Sequence, residues 1–134
     1  MTENNASIGT SIAPWLSVQN GAQAVTFYKA AFDAVETSRL EDPGGGLVVK
    51  LSVNGAEFWL SGGAVVEGSP SLPALGGDNV RIILTVNDPD TYFKKALEAG
   101  ATEVFPIGEE YGWRLGRIVD PFGLHWEIGY PFST

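Results

Sequence analysis

The stretch DPFGLHWEIG, residues 120–129, carries the only histidine of the chain, His125, and a glutamate two residues later, Glu127. Alternate residues of a strand point the same way, so an imidazole and a carboxylate at this spacing are half of a divalent-metal site, or a base beside an acid. The rest of the sequence restricts the first possibility. Cysteine is absent, which excludes thiolate ligands, disulfides and a cysteine nucleophile. With one histidine, neither a two-His-one-carboxylate iron site nor a His-rich zinc or nickel site can be built from a single chain. His125 is left as a general base, as a polar lining residue, or as a strand-edge residue.

Other residues with chemistry to offer lie on strand-like runs. Alternation puts Ala13, Trp15 and Ser17 on one face of the run 12–19. It also groups Trp59 with Ser61, Arg81 with Ile83 and Thr85, and His125 with Glu127. Trp15 and Trp59 either stack on a planar ligand or fill a core. Arg81 and Glu127 suit an ion pair across a cavity, in which a ligand carboxylate or phosphonate could replace Glu127. Trp113, Arg114 and Arg117 precede the DPFG turn. Arg114 either reaches an anionic ligand or neutralises Glu109 or Glu110, and Tyr111 is placed to gate an entrance. Gly112 and Gly116 suggest bulges or close backbone approach. No phosphate-binding glycine loop opens a helix and no Gly-x-Ser-x-Gly elbow occurs.

The elements that must position these residues follow from hydrophobic periodicity. A strand-like run at 12–19 precedes an amphipathic helix at 21–32, with Ala24, Phe27, Tyr28 and Ala31 on one face. A second strand run at 80–87 precedes a helix that Asp88 caps, Pro89 opens and Gly100 closes. Three strand-like runs follow each helix, with turn signals at EDPGGG, Asn54-Gly55 and DPFG. The pattern is β-α-β-β-β twice, with Val18 and Val86 in equivalent places, 68 residues apart. The expected organisation is a disordered tail at 1–11, a first module at 12–62, a Gly/Pro/Ser-rich linker at 63–78 and a second module at 79–131. Together the modules make one α+β domain: a curved mixed sheet around a cavity, with the helices outside.

The 134 residues suit a single domain, and the net charge of −8 opposes nucleic-acid binding. No apolar run is long enough to span a bilayer, and the first residues lack the features of a signal peptide, so the expected location is the cytoplasm.

The paired modules, with FYKAAFDA on the first helix, ALEAGAT on the second and GRIVDPFGLHWEIG at the end, resemble the vicinal oxygen chelate superfamily of glyoxalase I, bleomycin-resistance proteins and extradiol dioxygenases. FYKAAF and the DPFG turn followed by Trp126 resemble its PhnB-like branch. The resemblance implies that the faces named above look inward. It also implies four inward ligand positions in metal-dependent members, two His and two Glu, falling here on Ala13, Trp59, Arg81 and Glu127. A two-residue slip would offer Glu57 in place of Trp59, but no slip supplies a histidine. The expectation is therefore no metal or other cofactor, with Glu127 and Glu57 as the only candidate metal ligands. It is a binding protein for a planar or hydrophobic small molecule, of the kind that sequesters an antibiotic or metabolite, and a homodimer. The alternative is a divalent-metal lyase, isomerase or dioxygenase. The expected ligand-binding residues are Trp15, Trp59, Arg81, Trp113, Arg114, His125 and Glu127.

Overall fold

The computed structural model describes residues 11–41, 43–44, 46–63, 80–110 and 112–132. The expected linker, apart from Gly63, the first ten residues of the tail and Tyr111 lie outside the described residues. In chain order the elements are β1 (Trp15–Ser17), α1 (Gly21–Phe32), β2 (Val35–Glu41), β3 (Leu47–Val53), β4 (Ala56–Ser61), β5 (Arg81–Thr85), α2 (Pro89–Ala99), β6 (Thr102–Glu110), β7 (Trp113–Val119) and β8 (His125–Pro131). The β-α-β-β-β pattern occurs twice, as expected.

Local chemistry sets the boundaries. Asn20 caps α1 by accepting from the Gln23 amide at 3.0 Å, and Asp33 ends the helix in the left-handed conformation, φ 57°. Asp88 caps α2, accepting from the Thr91 hydroxyl at 2.7 Å and its amide at 3.3 Å. Asp88→Ala is expected to cost about 1 kcal/mol of stability, measurable by urea unfolding. β1 is shorter than the run at 12–19, because Pro14 has no N–H to donate, although its carbonyl accepts from the Trp59 amide at 2.8 Å. β6 slips register between Phe105 and Gly108, around Pro106, which likewise has no N–H to give to the ladder.

The strand orders are β1-β4-β3-β2 and β5-β8-β7-β6, and each leading strand pairs in parallel with the last strand of its module. The two registers are equivalent. Ser17 faces Ser61 in the first sheet, Thr85 faces Gly129 in the second, and the 68-residue offset holds at both partners. Gly129 is required there, because a Cβ would lie 2.1 Å from the Arg114 carbonyl oxygen.

Each sheet has one covered and one bare face. In β3, Leu47, Val49, Leu51 and Val53 are buried, while Val48, Lys50 and Ser52 are partly exposed. In β8, Trp126 and Ile128 are buried between the more exposed His125 and Glu127.

Two four-stranded mixed sheets with two helices make up the expected two-module α+β fold, and the two sheets are not closed into one. Among the described residues no strand of one sheet pairs with a strand of the other, and α1 and α2 lie packed together between the covered faces. The cause is the breadth of the apolar surface on α1, where Phe27, Tyr28, Ala31 and Phe32 are all buried. One sheet cannot cover that surface. Tyr28 packs edge-on against Phe58 of its own module, 5.2 Å between ring centroids, and also against Trp126 of the other at 5.7 Å. Phe32 reaches Trp126 at 4.9 Å. The bare faces lie on the outer sides of this shared core.

Candidate functional site

The bare face of the first sheet is built on its edge strand. Trp15, on β1, is 54% exposed and stacks on Trp59 of β4, with ring centroids 5.9 Å apart and planes 23° from parallel. Parallel pairing of β1 with β4 puts these two residues in register. The Trp15 indole donates to the Ser61 hydroxyl at 3.0 Å, and Ser17 lies 3.4 Å from the same oxygen. Lys50, opposite Trp59 on β3, sits with its ammonium 5.0 Å from the Trp59 ring centroid and 3.4 Å from Glu57. The face thus presents two stacked indoles, with hydroxyls beside Trp15 and the Lys50 ammonium over the Trp59 ring.

The bare face of the second sheet is polar. Arg81 and Glu127, expected as partners, form an ion pair with Nε 3.4 Å from Oε2. The Arg117 Nε–H donates to His125 Nδ1 at 3.1 Å. Cross-strand register brings Arg81 beside His125 and Arg117 beside Glu127, so four polar side chains share a small patch. Ile83 and Thr85 continue this face into a groove of about 560 Å³ that Asn54 and Tyr92 also line. There Asn54 donates to the Tyr92 hydroxyl at 2.8 Å.

The remaining predicted residues divide. Trp113 pairs with Pro131 and alternates with Leu115 and Arg117, which puts it on the bare face. Arg114 is on the other face. It makes two hydrogen bonds to Asp90 on α2, at 3.1 and 2.7 Å, and lies 4.0 Å from Glu109. Its guanidinium holds the Asp90 carboxyl below the usual carboxylate range. The expectation that Arg114 contacts a ligand is therefore replaced by a strand-to-helix tie, because Arg114 is one residue out of phase with Trp113 and Arg117. Arg114→Ala is expected to leave ligand affinity unchanged and to change stability little, since the pair is exposed to water. Calorimetric titration and thermal unfolding check the two parts. Gly116 is also on the helix side rather than at a cavity mouth, because a Cβ would meet Phe93 at 2.8 Å.

No family model matches the chain. Over 130 residues it is 40% identical to the uncharacterized protein Mb0911c of Mycobacterium bovis, spanning 93% of this chain and 86% of that protein. Over 120 residues it is 35% identical to the uncharacterized protein At5g48480 of Arabidopsis thaliana, spanning 83% and 72%. The X-ray structure of the At5g48480 product matches with a TM-score of 0.63 at 29% identity, over 92% of this chain and 98% of that one. A glyoxylase/bleomycin resistance protein/dioxygenase domain from Frankia sp. EAN1pec matches with a TM-score of 0.68 at 17% identity, over 93% and 99%. The PhnB protein from Bacillus cereus matches with a TM-score of 0.65 at 20% identity, over 90% and 99%. The chain belongs with Mb0911c and At5g48480 in one family, and it has the fold of the glyoxylase/bleomycin resistance protein/dioxygenase domain.

The 68-residue register locates the four ligand positions that the resemblance implies. Ala13 and Arg81 are equivalent in the two modules, as are Trp59 and Glu127. One carboxylate stands in this set, and it is paired with the Arg81 guanidinium. Glu57 lies on the first sheet beside Lys50 rather than near Glu127. Among the described residues, no group of three or more His, Asp or Glu could hold a metal ion.

Two features escaped the sequence reading. Lys50 is an unremarked lysine in LVVKLSV, although alternation between buried Val49 and Leu51 assigns it to the bare face beside Trp59. Asp120 had been read only as a turn residue. It is 3% exposed and accepts four hydrogen bonds: from the Tyr28 hydroxyl at 2.6 Å, the Trp126 indole at 2.8 Å, and the Phe122 and Leu124 amides at 2.9 and 3.0 Å. The DPFG turn is built around this carboxylate, and the same carboxylate ties α1 of the first module to β8 of the second.

Proposed function

We propose that the protein binds a planar or hydrophobic small molecule without a metal. The observation that carries this reading is the Trp15–Trp59 stack, which lies on a bare sheet face with hydroxyls beside Trp15 and the Lys50 ammonium over the Trp59 ring. Stacked indoles offer a large contact area and have few rotamers to freeze on binding. Binding alone requires no transition state to be stabilised, so an aromatic platform suffices. The setting we infer is cytoplasmic, in keeping with a chain in which no described helix is long and apolar enough to cross a membrane.

A bare platform binds weakly unless something closes over it. We infer that a second copy of the chain does so, as a homodimer in which the tryptophan face of one copy meets the Arg81–His125–Glu127 face of the other. Edge chemistry supports this arrangement. β2, at one edge of the first sheet, is blocked by charge: Arg39 bonds Glu36 and Glu41, and with Lys29 it holds the Glu36 carboxyl at about 2. β1 and β5, the opposite edges of the two sheets, carry no such ladder and are open to pairing.

Thermal shift and tryptophan fluorescence test the binding reading. A planar aromatic compound at about 100 times its Kd is expected to add about 2.7 kcal/mol of stability and to quench tryptophan emission, equally with and without EDTA. Stoichiometric metal in the purified protein, lost in Glu127→Gln, would overturn the metal-free reading. Light scattering at twice the mass of the chain is the expected oligomeric result, and a monomer at micromolar concentration would remove the dimer.

A further inference from the structure

Lys50 gives the aromatic platform a charge preference. Resting on the binding reading above, we propose that the ligand is a planar ring bearing an anionic group, and that Lys50 is the residue that selects it. The cation is placed for this by the strand register. Lys50 faces Trp59 across the antiparallel β3–β4 pair, and its ammonium stands 5.0 Å from the ring centroid. A ring laid over Trp59 displaces this ammonium from the ring face to the rim of the ligand, where a carboxylate on that rim is within its reach.

The present partner of Lys50 is easily exchanged. Glu57 Oε1 lies 3.4 Å from Nζ, the pair is open to water (side chains 30% and 41% exposed), and Glu57 makes the contact from the solvent side of β4. A ligand carboxylate held on the tryptophans brings its own apolar contact to the competition, which Glu57 does not. The hydroxyl of Ser61, already fixed by the Trp15 indole, adds a second polar group beside Trp15. The net charge of −8 makes this local choice more telling, because an anion attracted to the platform must be recognised by a specific cation rather than by the general field.

The test compares two ring probes of the same shape, 2-naphthoate and 2-naphthamide, by isothermal titration calorimetry, with the indole N–H resonances followed by NMR. The wild-type protein is expected to bind the naphthoate about tenfold more tightly, with the preference shrinking as salt is raised. Lys50→Met is expected to equalise the two probes, and Lys50→Arg to keep the preference. Equal affinities in the wild type, or a preference that survives Lys50→Met, would overturn the role of Lys50 and leave the platform standing. If neither probe binds the folded protein, the binding reading falls and this inference falls with it.

Discussion

Asp120→Ala is expected to lower the unfolding free energy by about 3–5 kcal/mol, the range for breaking a buried charged network. The substitution removes a carboxylate that is 3% exposed and leaves four donors behind. Two of these, the Tyr28 hydroxyl and the Trp126 indole, are on side chains at most 2% exposed, where an orphaned donor costs about 1–3 kcal/mol. A loss of this size is a large share of the stability of an ordinary domain. Guanidinium unfolding followed by tryptophan emission would measure it. A loss below about 1 kcal/mol would mean that the turn carries no such weight.

The same contact predicts an alkaline limb. Burial, and then the Asp120 carboxylate, push the Tyr28 phenol well above its ordinary value of 10.0. The folded chain therefore keeps a proton that the unfolded chain releases. The contribution is fully present below about pH 10 and is lost as pH rises from there towards the raised value, because proton release favours the unfolded state. In Tyr28→Phe this limb is expected to flatten, at a cost of about 1.5–3 kcal/mol at neutral pH from the lost bond to a charged acceptor.

Much of this architecture is legible in the sequence, because local periodicity is what encodes it. The helix at 21–32 is found at those bounds, and alternation correctly puts Trp15 with Trp59, and Arg81 with Glu127, on the bare faces. How the modules meet is not local. The apolar stripe of α1 reads the same whether one sheet or two cover it, and only the contacts of Tyr28 and Phe32 with Trp126 decide between them. Asp120 is hidden for a similar reason. A turn aspartate bonding the amides two and four residues on is common, whereas its bond to Tyr28 spans 92 residues of chain. Arg114 shares its phase with buried Gly116 and Ile118, which assigns it to the helix side.

Trp59→Ala is expected to weaken binding of a planar ring probe by about thirtyfold or more, equivalent to about 2 kcal/mol, while the fold survives. Trp59 is the residue on which the platform converges. It stacks on Trp15, it lies beneath the Lys50 ammonium, and its amide holds Pro14 at the start of β1. The substitution keeps that backbone bond, so the strand stays paired. The structural cost is the lost ring contact with Trp15, about 0.5–1.5 kcal/mol, or a few degrees in Tm. Trp113→Ala serves as the contrast, because it removes an indole from the bare face of the other sheet and leaves the Trp15–Trp59 stack intact. If the chain acts as a monomeric platform, Trp113→Ala leaves affinity unchanged. If two copies close the site, as inferred here, it weakens binding as well, and a mixture of Trp59→Ala and Trp113→Ala chains regains wild-type affinity at one site in each heterodimer. That complementation requires both a shared site and exchange of subunits, and a simple loss of stability in either variant cannot produce it.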